Sequence, residues 1–407
     1  MAGTRNTSRS YLLVLVTLGL DAMGVGIIGP IVPKLVEQLA HLPPDRAAPW
    51  VGALIAAYAA TQFLLAPLLG ALSDRFGRRP VILGSVAGIG FDYVLLALAP
   101  SLPWLFLGRV VAGATSANVA AATAYIADVS SKEERAVRFG LIGATFGGGF
   151  VVGPALGGLL GEWGLRLPFW VAATVALANA AYGIWGLPES LPPDKRRPLD
   201  WSRANPFTAL RGAWKDPALR RLSLAWSCSW VGLGAVQSSL VLFAGYRFGW
   251  GTALSGLLLA GIGLSQAVVE GTLLRPITAR LGESGTALAG YAAATLGYAA
   301  LALAFAGWMV LPAVVLLTFG GLAMPSVRAI VSGRGKVENQ GEMQGVLTAV
   351  EGLTALFAPL VTAGLFFLFT RPSLPVHFAG APFFLAALAA AAAGVMLRRL
   401  RGKDGAA

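Results

Sequence analysis

Five ionisable residues stand inside long apolar stretches: Asp21, Asp92, Arg109, Glu270 and Glu351. A charge at the centre of a bilayer costs roughly 2.5–3.5 kcal/mol even on the mildest insertion scale, so such a residue is kept there by a task or a partner. Asp21 lies about ten residues into its stretch, roughly 15 Å deep at helical rise. A short side chain at that depth cannot reach the interface. It reads as a proton or substrate site facing a cavity, or as the buried partner of a polar neighbour. Asp92 and Arg109 flank a turn near Pro100 to Leu102, each about eight residues from it. On antiparallel neighbours both sit roughly 12 Å below one surface, where they can pair. Two readings of the pair stand equally: a static ion pair that orients its helices, or a carboxylate alternating between Arg and a proton. Glu351, about 14 Å into its stretch, is a candidate for proton chemistry in a cavity. Glu270 precedes Arg275 near the end of its stretch and is expected to snorkel to the interface. Asp128 closes its stretch and reads as a cap or loop contact.

Other chemistries lack their residues. His41 and His377 are expected in loops and form no metal-ligand spacing with the lone Cys228. The glycine-rich run from Gly143 to Gly158 has no strand, Lys or Ser/Thr placed for a phosphate cradle. Instead Gly149, Gly153 and Gly157 recur every four residues, beside Pro154 and Gly158. That spacing makes one smooth helix face for a close neighbour, with a Pro to bend it. Tyr58, Gln62, Asn118, Trp226, Trp230, Gln237 and Gln266 supply polar and aromatic groups inside apolar stretches. They suit a cavity for an amphipathic organic molecule, and equally helix–helix hydrogen bonds or interface aromatics.

The elements that position these residues are membrane-spanning helices. Of 407 residues, 56% are hydrophobic and only 12% charged, against about 25% charged in soluble domains. Twelve apolar blocks are long enough to span, at 11–33, 50–72, 80–99, 102–127, 138–161, 167–188, 220–246, 252–274, 284–305, 308–332, 342–369 and 377–397. The first is no signal peptide, because Asp21 interrupts it and the apolar run continues to Pro33. The net charge of +12 reads as topology, with no call for nucleic acid. If the N-terminus is cytoplasmic, 25 of the 31 Lys and Arg fall in cytoplasmic segments, Arg328 among them. Lys34, Arg46, Arg166, Arg247 and Arg371 fall outside, and Arg109 within a span. The positive-inside rule therefore puts both termini in the cytoplasm.

The longest polar stretch, from Glu189 to Arg221, divides the chain into six-helix halves, 1–188 and 220–407, joined by a cytoplasmic linker, 189–219. The halves repeat. Leu68, Leu69, Arg75 and Gly77 after the second block match Leu273, Leu274, Arg280 and Gly282 after the eighth at constant offset. Parallel six-helix repeats characterise one large transporter architecture.

The loop from Gly70 to Pro80, carrying Asp74, Arg75, Gly77, Arg78 and Arg79, resembles the signature of the major facilitator superfamily. Gly149 to Gly158 resembles the motif of its proton-coupled drug antiporters, and Gly108 to Gly113 the intramembrane Arg motif. Leu20 to Pro33, Gly90 to Tyr93, Arg247 to Trp250 and Gln340 to Gly345 are similar to tetracycline/proton antiporters. The resemblance implies an all-α membrane protein: twelve transmembrane helices as two six-helix bundles with pseudo-two-fold symmetry. It implies proton-coupled export of a drug-like organic compound by alternating access, in a bacterial inner membrane and as a monomer. Asp74 is then expected at a helix N-terminus, where negative charge is favoured. With Arg75 and Arg79 it latches one conformation. The Gly149 to Gly158 face is expected to seal a gate against proton leak. Two departures stand out. Such antiporters carry an acid in helix nine, yet Gly290 to Leu301 has none, and Gln266 stands where a His is frequent. Glu270 or Glu351 then takes the missing role. Uniport or symport of a metabolite or sugar is the alternative reading. An enzyme lacks its constellation, a channel does not fit two asymmetric halves, and no cofactor is expected.

Overall fold

The apolar blocks fold as helices that stop where Pro, Gly and polar caps interrupt them. The computed structural model describes residues 2–116, 118–198, 207, 216–334 and 340–404. In chain order the helices are α1 (Ala2–Ala40), α2 (Pro44–Phe76), α3 (Arg78–Leu98), α4 (Leu102–Thr115), α5 (Asn118–Asp128), α6 (Lys132–Trp163) and α7 (Leu167–Gly186). There follow α8 (Pro217–Phe248), α9 (Thr252–Thr272), α10 (Leu274–Ala302), α11 (Val310–Gly320), α12 (Ala323–Arg334), α13 (Gln340–Phe369) and α14 (Ala381–Asp404). Local chemistry sets several ends. Ser131 and Glu134 form a capping box at the start of α6. Asp216 accepts from the Ala218 amide at 2.8 Å to open α8, and Gly249 closes it at φ +68°.

Among the described residues, eleven helical segments are long and apolar enough to cross a membrane. The remaining expected span, 284–305, lies largely in α10, where Gly, Thr, Tyr291 and Tyr298 dilute the aliphatic residues. Beyond the bend at Gly282, about 20 helical residues remain, enough for roughly 30 Å of hydrocarbon. The protein is an all-α, multi-pass membrane protein.

Two expected spans are broken helices. The fourth divides into α4 and α5. At the break Thr115 Oγ1 donates back to the Val111 carbonyl at 2.9 Å and Ser116 Oγ to that of Gly113 at 2.8 Å, bonds that bend helices. The tenth divides into α11 and α12 at Gly320 and Gly321, a weak point in helix propensity.

Contacts divide the chain into two compact units, and both borrow from distant sequence. Unit 1 comprises Met1–Ala40, Ala57–Asn205 and Gly251–Gly263, the last being the first half of α9. In it α1 runs along α6, and α3 packs on α7 and α4. Val14, Leu18, Ile82, Tyr125 and Ile126 are fully or almost fully buried in its core. Unit 2 comprises His41–Ala56, Pro206–Trp250 and Leu264–Ala407. There α8 packs on α13 and α14, and α10 on α14 and α11, around Leu222, Trp226, Tyr291, Val327 and Leu347.

Candidate functional site

In unit 1 the buried charges meet. Asp92 on α3 has no exposed surface, Arg109 on α4 keeps 8%, and the Arg109 Nη2 group donates to the Asp92 carboxylate. The contact needs Gly108, since a Cβ there would lie 2.6 Å from Asp92 Oδ1. The Arg109 guanidinium also lies 5.9 Å from the ring centroid of Tyr58 on α2. Asp92 Oδ1 and Arg109 Nε have no protein hydrogen-bond partner, so the pair keeps spare capacity on both sides. Asp21 on α1 lies within electrostatic reach of Tyr58 and Tyr93. One turn along α1 from Asp21, a Cβ on Gly24 would overlap the Tyr93 hydroxyl. Glycine here is a matter of space: it lets the phenol of α3 reach the backbone of α1 beside Asp21. Two acids, one Arg and two phenols from four helices therefore share one neighbourhood, in which Asp92, Tyr93 and Arg109 are buried and Asp21 and Tyr58 half-buried. Such a cluster can hold and pass a proton, because each charge state of one acid alters the stability of the others.

The glycine face of α6 is a backbone contact. A Cβ on Gly149 would lie 2.6 Å from that of Ala22, and one on Gly157 2.5 Å from the Ile27 carbonyl oxygen. One on Gly153 would overlap the Met23 carbonyl. All three press against α1, and Pro154 fits against Gly26 there. Gly158 faces elsewhere, with a Cβ 2.9 Å from Gly256 Cα in the first half of α9. One turn further, Glu162 accepts from Thr252 Oγ1 at 2.8 Å and the Ala253 amide at 2.9 Å, which seats a carboxylate on the N-terminus of α9.

The loop between α2 and α3 differs from expectation. Asp74 pairs with Arg78 Nη1 at 2.6 Å, not with Arg75 or Arg79. Arg75 is exposed over the Phe76 ring, and Arg79 donates to the Ile184 carbonyl. The carboxylate at the helix start is that of Glu189, which accepts from the Arg78 amide at 2.8 Å and the Arg79 amide at 3.3 Å. Gly77, at φ +110°, turns the chain there, and a Cβ would overlap Glu189. Asp128 joins through Arg78 Nε at 3.4 Å and Ser190 Oγ at 3.1 Å. A Cβ at Gly70 would meet open space. Sequence reasoning missed Glu189 as a partner. Its signal was an acid opening the linker, on a chain where acids are scarce.

Unit 2 holds the other expected acids. Glu351 on α13 lies 3.8 Å from Arg328 Nη2 on α12, and that guanidinium lies 5.1 Å from the Trp226 ring centroid on α8. Arg328, counted above with the cytoplasmic segments, sits mid-helix in α12 with Glu351 as its neighbour. Glu270 folds back along α9 to accept from Gln266 Nε2 at 2.9 Å, a local pairing where snorkelling was expected. Trp230 packs beside Trp226, and Gln237 lies exposed on α8. Gln62 is half-buried in unit 1, and the side chain of Asn118 lies outside those described.

Known proteins agree with this frame. A family model described as the Major Facilitator Superfamily matches residues 14–359. The class C tetracycline resistance protein of Escherichia coli is 40% identical over 361 residues, covering 88% of this chain and 90% of that protein. The class G protein of Vibrio anguillarum is 39% identical over 366 residues, 86% of this chain and 88% of that one. Among solved structures, the human organic anion transporter MFSD10 (TETRAN) superposes with a TM-score of 0.71 at 24% identity, covering 96% of this chain and 99% of its own. With that family model matching residues 14–359, most of its length, the chain belongs to the major facilitator superfamily.

Proposed function

We propose that this chain is a proton-coupled antiporter that exports a drug-like organic compound of the tetracycline type. It does so by alternating access between the halves 1–188 and 220–407 about the linker 189–219. The observation that carries the reading is the cluster of half-buried Asp21 and Tyr58 around buried Asp92, Arg109 and Tyr93. Tetracycline resistance proteins at 40% and 39% identity over most of the chain support the substrate class. Asp21 and Asp92 carry the proton, Arg109 is the cation against which Asp92 is released, and Glu351 is a second proton site. The Asp74 to Arg79 loop, with Glu189, acts as a conformational latch. The α6 glycine face keeps a gate tight to protons. Tyr58, Gln62, Asn118, Trp230, Gln237 and Gln266 are the candidate substrate contacts. A proton crossing 150 mV supplies roughly 3.5 kcal/mol, enough for a few-hundred-fold gradient. The protein works as a monomer in a bacterial inner membrane with both termini cytoplasmic.

Reconstitution in vesicles tests this. With an imposed pH gradient and a panel of tetracyclines, substrate-dependent proton flux is expected in the parent protein and lost in Asp21→Asn. Substrate movement indifferent to the gradient would overturn antiport in favour of uniport.

A further inference from the structure

The two intramembrane Arg–acid pairs are built differently. Asp92 and Arg109 are sealed and directly hydrogen-bonded. Arg328 and Glu351 are open: their side chains are 52% and 28% exposed, and the closest N to O approach is 3.8 Å. A good charge-assisted bond is about 2.7–2.9 Å, so the guanidinium is not seated on the carboxylate. It lies instead 5.1 Å from the ring centroid of Trp226. Trp226 is fixed, with 3% exposure, in a core that includes Leu222, Val327 and Leu347. Its buried indole Nε1 has no hydrogen-bond partner in the protein. A rigid aromatic face beside an accessible carboxylate is the arrangement that recognises organic cations. One turn along α8, the buried Trp230 Nε1 has no partner and offers a donor to a polar atom of the same molecule.

We propose that Trp226 and Glu351 form a binding site for an organic monocation, in which the Arg328 guanidinium is the resident occupant that an incoming cation displaces. As a substrate site it rests on the export reading above; as a binding site it does not. An internal occupant present nine-tenths of the time would lower apparent affinity about tenfold. Removing it should therefore tighten binding, the reverse of what losing a wall of the site does.

The test uses the purified full chain and tritiated tetraphenylphosphonium in a scintillation proximity assay. Arg328→Gln is expected to tighten binding about tenfold, and Glu351→Gln to weaken it at least tenfold. Trp226→Phe, which keeps a ring face, should retain most of the affinity, and neutral triphenylphosphine oxide should not compete. Each variant is first checked for monodispersity and for its thermal unfolding temperature in detergent, so that misfolding is separated from loss of the site. Weaker or unchanged cation binding in folded Arg328→Gln would overturn the proposal and leave the pair a brace between α12 and α13. The same vesicles report tetracycline-driven proton flux. Flux without the affinity pattern sinks the cation site alone, and the affinity pattern without flux sinks the export reading alone.

Discussion

Asp92 buries a charge with one direct partner, and removing either member should be costly. An uncompensated charge left in a buried pair typically costs about 3–5 kcal/mol. Asp92→Asn is therefore expected to lower the unfolding temperature in detergent, with Arg109→Gln recovering part of the loss in the double variant. If Asp92→Asn kept full proton-coupled efflux, the pair would be structural only. Position along the chain sufficed to foresee this contact, because one short turn fixes the depth of both residues. It did not suffice for Arg328. Arg328 lies near the end of an apolar block that is broken into α11 and α12, and with the basic residues beyond it counts toward topology, while its acid partner sits on another helix. Partners far apart in sequence, such as Glu189 and the Arg78 amide, leave no local spacing to read.

At the scale of the element, α6 separates two kinds of glycine. Gly157→Ala would press a methyl to 2.5 Å from the Ile27 carbonyl oxygen, so α1 must move. A loss of about 1–3 kcal/mol in stability and a loss of transport are expected. Gly148→Ala meets open space and should gain roughly 0.5–1 kcal/mol of helix stability with transport intact. Equal effects in the two variants would remove the special status of the face. Four-residue glycine spacing announced that face, but only the structure shows that Gly158 serves a different neighbour. Glu189→Ala leaves the amides of Arg78, Arg79, Ser190 and Leu191 without their acceptor. The helix-terminal charge alone is worth about 0.3–1 kcal/mol, so the melting temperature should fall measurably.

Across the whole molecule, hydropathy and basic residues made most of the fold legible, since lipid demands long helices and topology follows Lys and Arg. The orientation can be measured. With Cys228 replaced by Ala, a cysteine at Ser373 should react with an impermeant maleimide on intact cells. One at Asp194 should react only after permeabilisation. Reversed labelling would invert the topology. What hydropathy could not show is where elements are shared. The first half of α9 belongs with unit 1 and its second half with unit 2, although both lie in one helix.

The contact between Gly158 and Gly256 has a further consequence. It is made by two backbones, with no side chain on either residue to be immobilised. A long side chain gives up as much as about 1.5–2 kcal/mol of rotamer freedom on packing, and a glycine gives up none. Such a seam closes with no side-chain rotamers to order, and its register is set by the two backbones alone.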